Sequence, residues 1–234
     1  GAFMNQASHY VDLLDWMVAR GKKIFVDLKF FDVPATVAAA VRQLSGRGVT
    51  FATIHGNQAI MEAAAAAKGD VKILAVTVLT SLGDADLRDT GIEGMAAQQA
   101  LRLARLTAAN GLDGVVCSAQ EAPALRSALG PAFRLVTPGI RPTGSVQDDQ
   151  SRIITPQAAI LNGADYLVIG RPITQAKDPV GALAATGGSA CVGDSGVAGK
   201  VMTDDAAPSP AGAEAAPAQT PRAAAPTGNR QTSR

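Results

Sequence analysis

The sequence is poor in cysteine, in aromatic residues and in net charge. It contains two cysteines, and 4% of its residues are aromatic. Two cysteines are too few for a disulfide framework, so a reducing, cytoplasmic setting is expected. The formal net charge of +1 gives no sign of a nucleic-acid or membrane-surface partner. No apolar run approaches the roughly 20 residues that a membrane-spanning helix needs.

Common motifs for nucleotide and metal binding are also missing from the sequence. It has no GxGxxG fingerprint and no P-loop. His55 has no second histidine nearby at metal-ligand spacing, and Ser118 lacks the GxSxG setting of a hydrolase nucleophile. We therefore predict that His55 is a satisfied strand-end histidine and that Cys117 is a small buried residue of a core strand.

The sequence does contain a regular alternation of apolar strands and helices. Hydrophobic residues make up 47% of the chain, which is ample for the core of one large domain. Strands rich in Val, Ile and Leu, each followed by a helix, indicate a parallel sheet covered by helices. We predict six such strands, in the first half of Ile24–Pro34 and at Phe51–Gly56, Lys72–Leu79, Gly114–Ala119, Phe133–Ile140 and Asp165–Pro172.

The strand ends favour a particular kind of α/β fold. Residues with chemical character follow most of the predicted strands, as in a TIM (β/α)8 barrel, whose sites form at the carboxyl-terminal rim. A doubly wound open sheet is the alternative, although it would gather ligand groups at one switch point. A closed barrel of this type needs eight strands. We therefore predict that residues 1–185 form a barrel domain that is incomplete at its amino-terminal end and lacks the first two strands.

The last part of the chain has a different composition. Residues 186–234 are rich in Ala, Pro, Gly, Ser and Thr. Segments of this kind bury too little apolar surface to offset the entropy lost on ordering. The sequence therefore predicts a disordered, low-complexity tail after the barrel domain.

The segment Ile24–Pro34, IFVDLKFFDVP, carries the most informative charges. Alternation along its strand places Asp27 and Lys29 on one face, and Asp32 follows where the strand ends. A surface ion pair would explain such a triplet on an edge strand. The other face of this strand is apolar and a helix follows, so the charged face is expected to look into a cleft. There, a charge needs a partner or a function.

Two further loops carry arginines, together with a glutamine and with a glycine that would let a ligand approach the backbone closely. The loop after the fifth predicted strand holds Arg141 and Gln150, and the last strand is followed by Gly170 and Arg171. If two strands are missing, these loops follow strands seven and eight, where such barrels commonly bind phosphate. Two arginines, an amide and a glycine suit a phosphate dianion. Alternatively, each arginine pairs with a carboxylate at the rim.

These motifs together resemble the orotidine 5′-phosphate decarboxylase family in its bacterial form. DLKFFDVP is similar to the family's D-x-K-x-x-D-I-P signature. Further similar segments follow in the family's order: AVTVLTS, GLDGVVCSAQEA, VTPGIRPTGS with a following Asp-Gln, and YLVIGRPIT. The resemblance extends from about Gly21 to Ala184. It implies decarboxylation of orotidine 5′-phosphate to UMP, with neither a metal ion nor an organic cofactor.

The resemblance also implies roles for individual residues. Lys29 would protonate C6 of the pyrimidine, and Asp27 would lie beside the departing carboxylate. Asp32, with Thr36 near it, would reach the active site of the other subunit of a homodimer. The remaining implied substrate-binding residues are Thr80 and Ser81 near the pyrimidine, and Arg141, Gln150, Gly170 and Arg171 at the phosphate.

The sequence departs from the family's pattern at its beginning. The family has a ribose-binding aspartate on its first strand and a lysine on its second strand, and no lysine precedes Lys22 here. Asp27 and Asp32 are then incompletely neutralised, and we expect the chain as given to have little or no activity. Two alternatives stay open. One is a Mg²⁺-dependent relative, a keto-gulonate-phosphate decarboxylase or hexulose-phosphate synthase, and the other is a non-catalytic binder of nucleotide phosphate.

Overall fold

A computed structural model describes residues 7–141, 154–186, 190–194 and 197–200 of the chain. Its strands are β1 (Lys23–Phe30), β2 (Val49–Ile54), β3 (Lys72–Val76), β4 (Gly114–Val116), β5 (Arg134–Thr137), β6 (Tyr166–Ile169), β7 (Ala190–Asp194) and β8 (Val197–Lys200). Its helices are α1 (Ala7–Val18), α2 (Pro34–Leu44), α3 (Gln58–Ala67), α4 (Asp84–Asp89), α5 (Ala96–Ala109), α6 (Ala122–Leu129), α7 (Pro156–Leu161), α8 (Arg171–Thr174) and α9 (Pro179–Ala185).

The strands form a closed barrel in which the first six are parallel and lie in sequence order. Each of these six strands lies where the alternation of the sequence predicts one, and the closed ring decides against an open, doubly wound sheet. The sequence does not predict the short helices α4 and α8, which have 6 and 4 residues.

The ring closes through two strands that composition did not predict. β7 pairs in parallel with β6, and β8 pairs antiparallel with both β7 and β1. Within the predicted tail at 186–234, residues 190–194 and 197–200 form these two strands. Residues 187–189, 195–196 and 201–234 lie outside the described part of the chain, so the boundary at 185/186 stays a prediction. Composition predicts whether a segment can build a core, whereas strand pairing uses backbone groups that every residue except proline supplies in full.

The core consists of two main layers that share the barrel wall. Inside the barrel, a cluster packs Phe25, Phe51, Leu74, Val76, Val116 and Val136. Outside it, the alternate strand residues Ile24 and Val26 pack with the buried faces of the helices, such as Val37 and Val41 of α2. Successive residues of β1 thus pack alternately outside and inside the barrel, so the strand contributes to both layers, as the parallel strands of a barrel require. No helix within the described ranges is both long and apolar enough to cross a membrane.

Two ion pairs tie the beginnings of neighbouring strands together at the amino-terminal end of the barrel. Asp165 precedes β6, and its Oδ2 accepts both the Leu135 amide of β5 and the Arg126 guanidinium, each at 2.7 Å. In the same way, Asp113 precedes β4 and accepts the Ile73 amide of β3 at 2.9 Å and Lys68 Nζ at 2.8 Å. Both contacts lie at the end opposite to the rim where barrel sites form, so they serve stability.

Candidate functional site

The site is built on an interruption in the pairing of β1 with β2. Val26 pairs with Ala52 and Phe30 with Ile54, so three residues of β1 lie opposite Thr53 alone. Within this bulge, Lys29 has φ 47°, in the left-handed region that costs a non-glycine residue roughly 1–2 kcal/mol. The bulge breaks the alternation, and Leu28, expected on the buried apolar face, is 38% exposed.

The bulge brings the predicted amine and carboxylate into direct contact. Lys29 Nζ lies 2.7 Å from Asp27 Oδ2, and the two side chains are 41% and 22% exposed. The second oxygen, Asp27 Oδ1, accepts a hydrogen bond of 2.8 Å from the hydroxyl of Thr53. The Lys29 amide donates to the same hydroxyl at 2.9 Å. Both charged groups are therefore held in fixed positions at the mouth of the barrel.

An open cavity of about 220 Å³ lies over this ion pair. Its polar lining combines Asp27 and Lys29 with Thr80 and Ser81 from the loop after β3. The apolar lining comes from inside the barrel and from the strand ends, namely Phe25, Val76, Val78, Leu79, Val116, Cys117, Pro138 and Val168. Four of the residues predicted from the sequence therefore converge on one cavity at the carboxyl-terminal rim.

Asp32 and Thr36 are placed away from that cavity's lining. Asp32 follows β1, is exposed, and its Oδ1 accepts the amide of Val33 at 2.6 Å. Thr36 is exposed in the first turn of α2. Phe31 and Val33, on either side of Asp32, are 68% and 62% exposed. The segment after β1 therefore presents a carboxylate flanked by two apolar side chains on the surface of this chain.

The residues predicted to grip phosphate follow β5 and β6. Arg141 follows Ile140, which forms an isolated bridge with Ile154, and its side chain is buried. Gly170 precedes α8 as its N-cap residue, and Arg171 opens that helix. Gln150 lies outside the described residues. Pro138 and Val168, from the same strand ends, line the cavity, so the two loops leave the barrel beside it.

The composition of the site limits which groups it could hold. Within the described ranges, no three His, Cys, Asp or Glu residues cluster closely enough to bind a metal ion. The cavity instead offers one amine, one carboxylate and two hydroxyl side chains above an apolar floor. Such an arrangement can place positive charge and a proton against a developing negative charge while apolar residues limit access of water.

Some residues of the site do not follow from the sequence reasoning. Thr53 is fully buried in β2, and the signal that could have indicated it is a hydroxyl in an otherwise apolar strand. Cys117 is buried as predicted, yet it also lines the cavity. His55 is confirmed as a satisfied strand-end residue, since its Nδ1 lies 3.1 Å from the carbonyl oxygen of Val76.

Comparison with known proteins gives a consistent result. The model of the Orotidine 5′-phosphate decarboxylase / HUMPS family matches residues 3–186. The orotidine 5′-phosphate decarboxylase of Methylococcus capsulatus is 56% identical over 168 residues, which cover 71% of this chain and 69% of the relative. That of Xanthomonas campestris pv. campestris (strain B100) is 50% identical over 181 residues, covering 76% of this chain and 74% of the relative.

A solved structure is similar over the same part of the chain. The orotidine 5′-phosphate decarboxylase from Lactobacillus acidophilus superposes with a TM-score of 0.66 at 37% sequence identity. The superposition covers 76% of this chain and 79% of that one. The similarity in sequence and that in structure therefore cover nearly equal shares of the chain.

Proposed function

Because this chain belongs to the Orotidine 5′-phosphate decarboxylase / HUMPS family, we propose that it converts orotidine 5′-phosphate to UMP and CO₂ by direct, cofactor-free decarboxylation. The observation that carries the proposal is the 2.7 Å contact of Lys29 with Asp27 on the lining of the rim cavity. A lysine amine supplies N–H donors and a positive charge, and the contact with Asp27 places this one on the cavity lining. There it can stabilise a developing negative charge and donate a proton to it.

In the proposed step the bond between C6 and the substrate carboxylate breaks, and its electron pair stays on C6 as CO₂ leaves. Lys29 Nζ stabilises this developing charge and then transfers a proton to C6. The neutral amine regains its proton from solvent. Asp27 lies beside the departing carboxylate and holds the amine in place. Stabilisation of this kind is effective because the groups are already oriented before the charge develops.

Binding of the substrate is assigned to the neighbouring loops. Thr80 and Ser81 lie beside Lys29 on the cavity lining, where their hydroxyls can meet the pyrimidine. The phosphate is assigned to Arg141, Gln150, Gly170 and Arg171. Binding energy from a phosphate remote from the reacting carbon can be used to reach the transition state.

The proposal includes a homodimer and a cytoplasmic setting. The exposed segment of Phe31, Asp32 and Val33, with Thr36 beyond it, is assigned to the subunit interface, where Asp32 and Thr36 would reach the partner's cavity. Two large apolar side chains on a segment that also carries a carboxylate support this placement, because exposed apolar residues that cluster commonly mark interaction sites. The scarcity of cysteine supports the cytoplasmic setting.

We expect the chain as given to have little or no activity. The resemblance implies an alternating array of two lysines and two aspartates, and this sequence supplies Asp27, Lys29 and Asp32 but no lysine before Lys22. With fewer positive charges, the carboxylates around the reacting carbon are less well neutralised. A turnover number in the ordinary enzyme range of about 1–10³ s⁻¹ for the purified chain would contradict this expectation.

A thermal-shift comparison of UMP with uridine tests binding separately from turnover. UMP should raise the melting temperature further as its concentration increases, because the stabilisation grows with the logarithm of the ligand concentration above Kd. Uridine, which lacks the phosphate, should raise it much less. Arg171→Met should remove most of the difference between the two ligands. Arg102→Met on the exposed face of α5 is the matched control and should leave it unchanged. If UMP does not stabilise the chain, the proposed site does not bind nucleotide.

A decarboxylation assay distinguishes the proposed reaction from that of the family's Mg²⁺-dependent members. The loss of orotidine 5′-phosphate absorbance should be the same with excess chelator and with added Mg²⁺, and Lys29→Ala should abolish it. Turnover that requires Mg²⁺, or that persists in Lys29→Ala, would overturn the proposed chemistry. UMP binding without any turnover would leave a non-catalytic nucleotide-phosphate binder.

A further inference from the structure

We propose that Thr53 is a positioning residue of this site, which sets the direction of the Asp27 carboxylate and the backbone of Lys29. Its catalytic consequence rests on the proposed function, but its effect on the ion pair does not. The residue lies on β2, one strand away from the charges, and is fully buried.

Thr53 occupies the point where the ladder between β1 and β2 is interrupted. Between the pairs Val26–Ala52 and Phe30–Ile54, it alone faces the bulged residues of β1. A bulge leaves backbone groups without their ladder partners, and buried backbone groups need substitutes. The Lys29 amide finds its substitute in the Thr53 hydroxyl at 2.9 Å. The left-handed conformation of Lys29, with φ 47°, is thus supported by a side chain.

The hydroxyl of Thr53 has one proton to donate, and the geometry directs it to Asp27. Its Oγ1 lies 2.8 Å from Asp27 Oδ1 and 3.5 Å from the Val26 carbonyl oxygen, so the carboxylate is the main acceptor. The hydroxyl therefore accepts from the backbone of Lys29 and donates to the side chain of Asp27. Each of these bonds holds one partner of the ion pair.

This arrangement determines which carboxylate oxygen is available to the amine. Thr53 holds Oδ1, which leaves Oδ2 to contact Lys29 Nζ at 2.7 Å. Without the hydroxyl, the carboxylate can rotate and the amide of Lys29 loses its acceptor. Both charged groups then leave the geometry they have at the cavity. Small displacements of catalytic groups cost up to roughly 100-fold in rate.

The test compares Thr53→Val, which removes the hydroxyl at nearly constant volume, with Thr53→Ser, which keeps it. Thr107→Val is the matched control, because Thr107 is also fully buried and its hydroxyl bonds the Leu103 carbonyl within α5, away from the cavity. The first readout is the rate of reductive methylation of Lys29, measured by peptide mass spectrometry against the exposed Lys22. It requires a folded chain but no activity.

Lys29 should react about 2- to 10-fold faster in Thr53→Val, because the loss of one hydrogen bond that holds the ion pair in place frees the amine to that extent. Thr53→Ser and Thr107→Val should react at the wild-type rate. If Thr53→Val does not fold, Thr53→Ala replaces it, because the vacated space can admit a water molecule to the Lys29 amide. An unchanged Lys29 rate in the folded variant would overturn the proposal, even if the melting temperature falls.

If the wild-type chain turns over orotidine 5′-phosphate, its kcat and KM provide the second readout. Thr53→Val should lower kcat about 10- to 100-fold while KM and UMP binding change little, and Thr53→Ser should restore most of kcat. A loss confined to KM would contradict a positioning role. If the wild-type chain shows neither turnover nor UMP binding, the proposed function fails, while the labelling result still decides the role of Thr53.

Discussion

The ion pair between Arg126 and Asp165 offers a stability prediction that the geometry makes quantitative. Arg126 Nη1 donates to the carbonyl oxygens of Gly130 at 2.8 Å and Phe133 at 2.7 Å. Its Nη2 donates to the Gly163 carbonyl at 2.8 Å and to Asp165 Oδ2 at 2.7 Å. One side chain from α6 thus bonds the segments that lead into β5 and β6.

Arg126→Met keeps the aliphatic stem and removes all four of these bonds. The two charged side chains are each 23% exposed, so water can replace part of what is lost. A net loss of about 0.5–1 kcal/mol per bond then lowers the free energy of unfolding by roughly 2–4 kcal/mol. For a chain of this size, we expect the melting temperature to fall by about 5–15 °C.

Urea and thermal unfolding of Arg126→Met, Asp165→Asn and the double variant measure this prediction. Asp165→Asn should cost less than Arg126→Met, because an amide oxygen can still accept the hydrogen bond from Leu135. The double variant should be less destabilised than the sum of the two single variants, since both remove the same contact. Arg102→Met, at an exposed arginine of α5, is the control and should change stability by less than about 0.5 kcal/mol. The reasoning is refuted if Arg126→Met costs no more than this control.

Three further outcomes are expected. Lys68→Met should lower the free energy of unfolding by about 1–2 kcal/mol in urea titrations, because it removes two hydrogen bonds, including the one to Asp113. Lys22→Met, at an exposed lysine, is the control, and an equal loss of stability in the two variants would contradict this prediction. Hydrogen bonds to its carboxylate, of which that from the Gly46 amide has the largest effect, lower the pKa of Asp70. These bonds therefore stabilise the folded chain fully above the ordinary carboxyl pKa, and this stabilisation is lost as pH falls through the lowered pKa. Asp70→Asn should therefore remove part of the acid-induced loss of stability, and identical acid limbs for variant and wild type would exclude the effect. Gly114→Ala should markedly lower the melting temperature, because a Cβ there would overlap the Arg134 carbonyl oxygen of the neighbouring strand. Gly83→Ala is the steric control, because Gly83 has φ −108° and a Cβ there would lie 3.7 Å from Asp86 Oδ2, an ordinary contact.

The barrel was predictable because its signal is local and repeated. Near-continuous apolar strands, each followed by a helix, recur along the chain, and parallel pairing places their carboxyl ends on one rim. Asp27 and Lys29 could be predicted together because residues two apart on a regular strand share a face, although the bulge, and not the alternation, sets their contact in the structure. Their meeting on the cavity with Thr80 and Ser81 follows from the same topology.

The details that lie outside this repeat could not be predicted. The bulge at Lys29 depends on Thr53, 24 residues away, and no local pattern joins the two. The bonds of Arg126 reach Asp165 across 39 residues, and an arginine on a helix surface has the same local signature whether it is bonded or not. The strands β7 and β8 pair through backbone groups, which composition does not encode.

By itself the sequence determined the order of the six parallel strands, the rim on which the charged residues meet, and the family to which the chain belongs, because each depends on the periodicity or the identity of neighbouring residues. Tertiary structure alone decided how the ring closes, which oxygen of Asp27 contacts Lys29, and why a lysine adopts a left-handed conformation. These features depend on hydrogen bonds between segments far apart in the chain, and such bonds exist only once the barrel has formed.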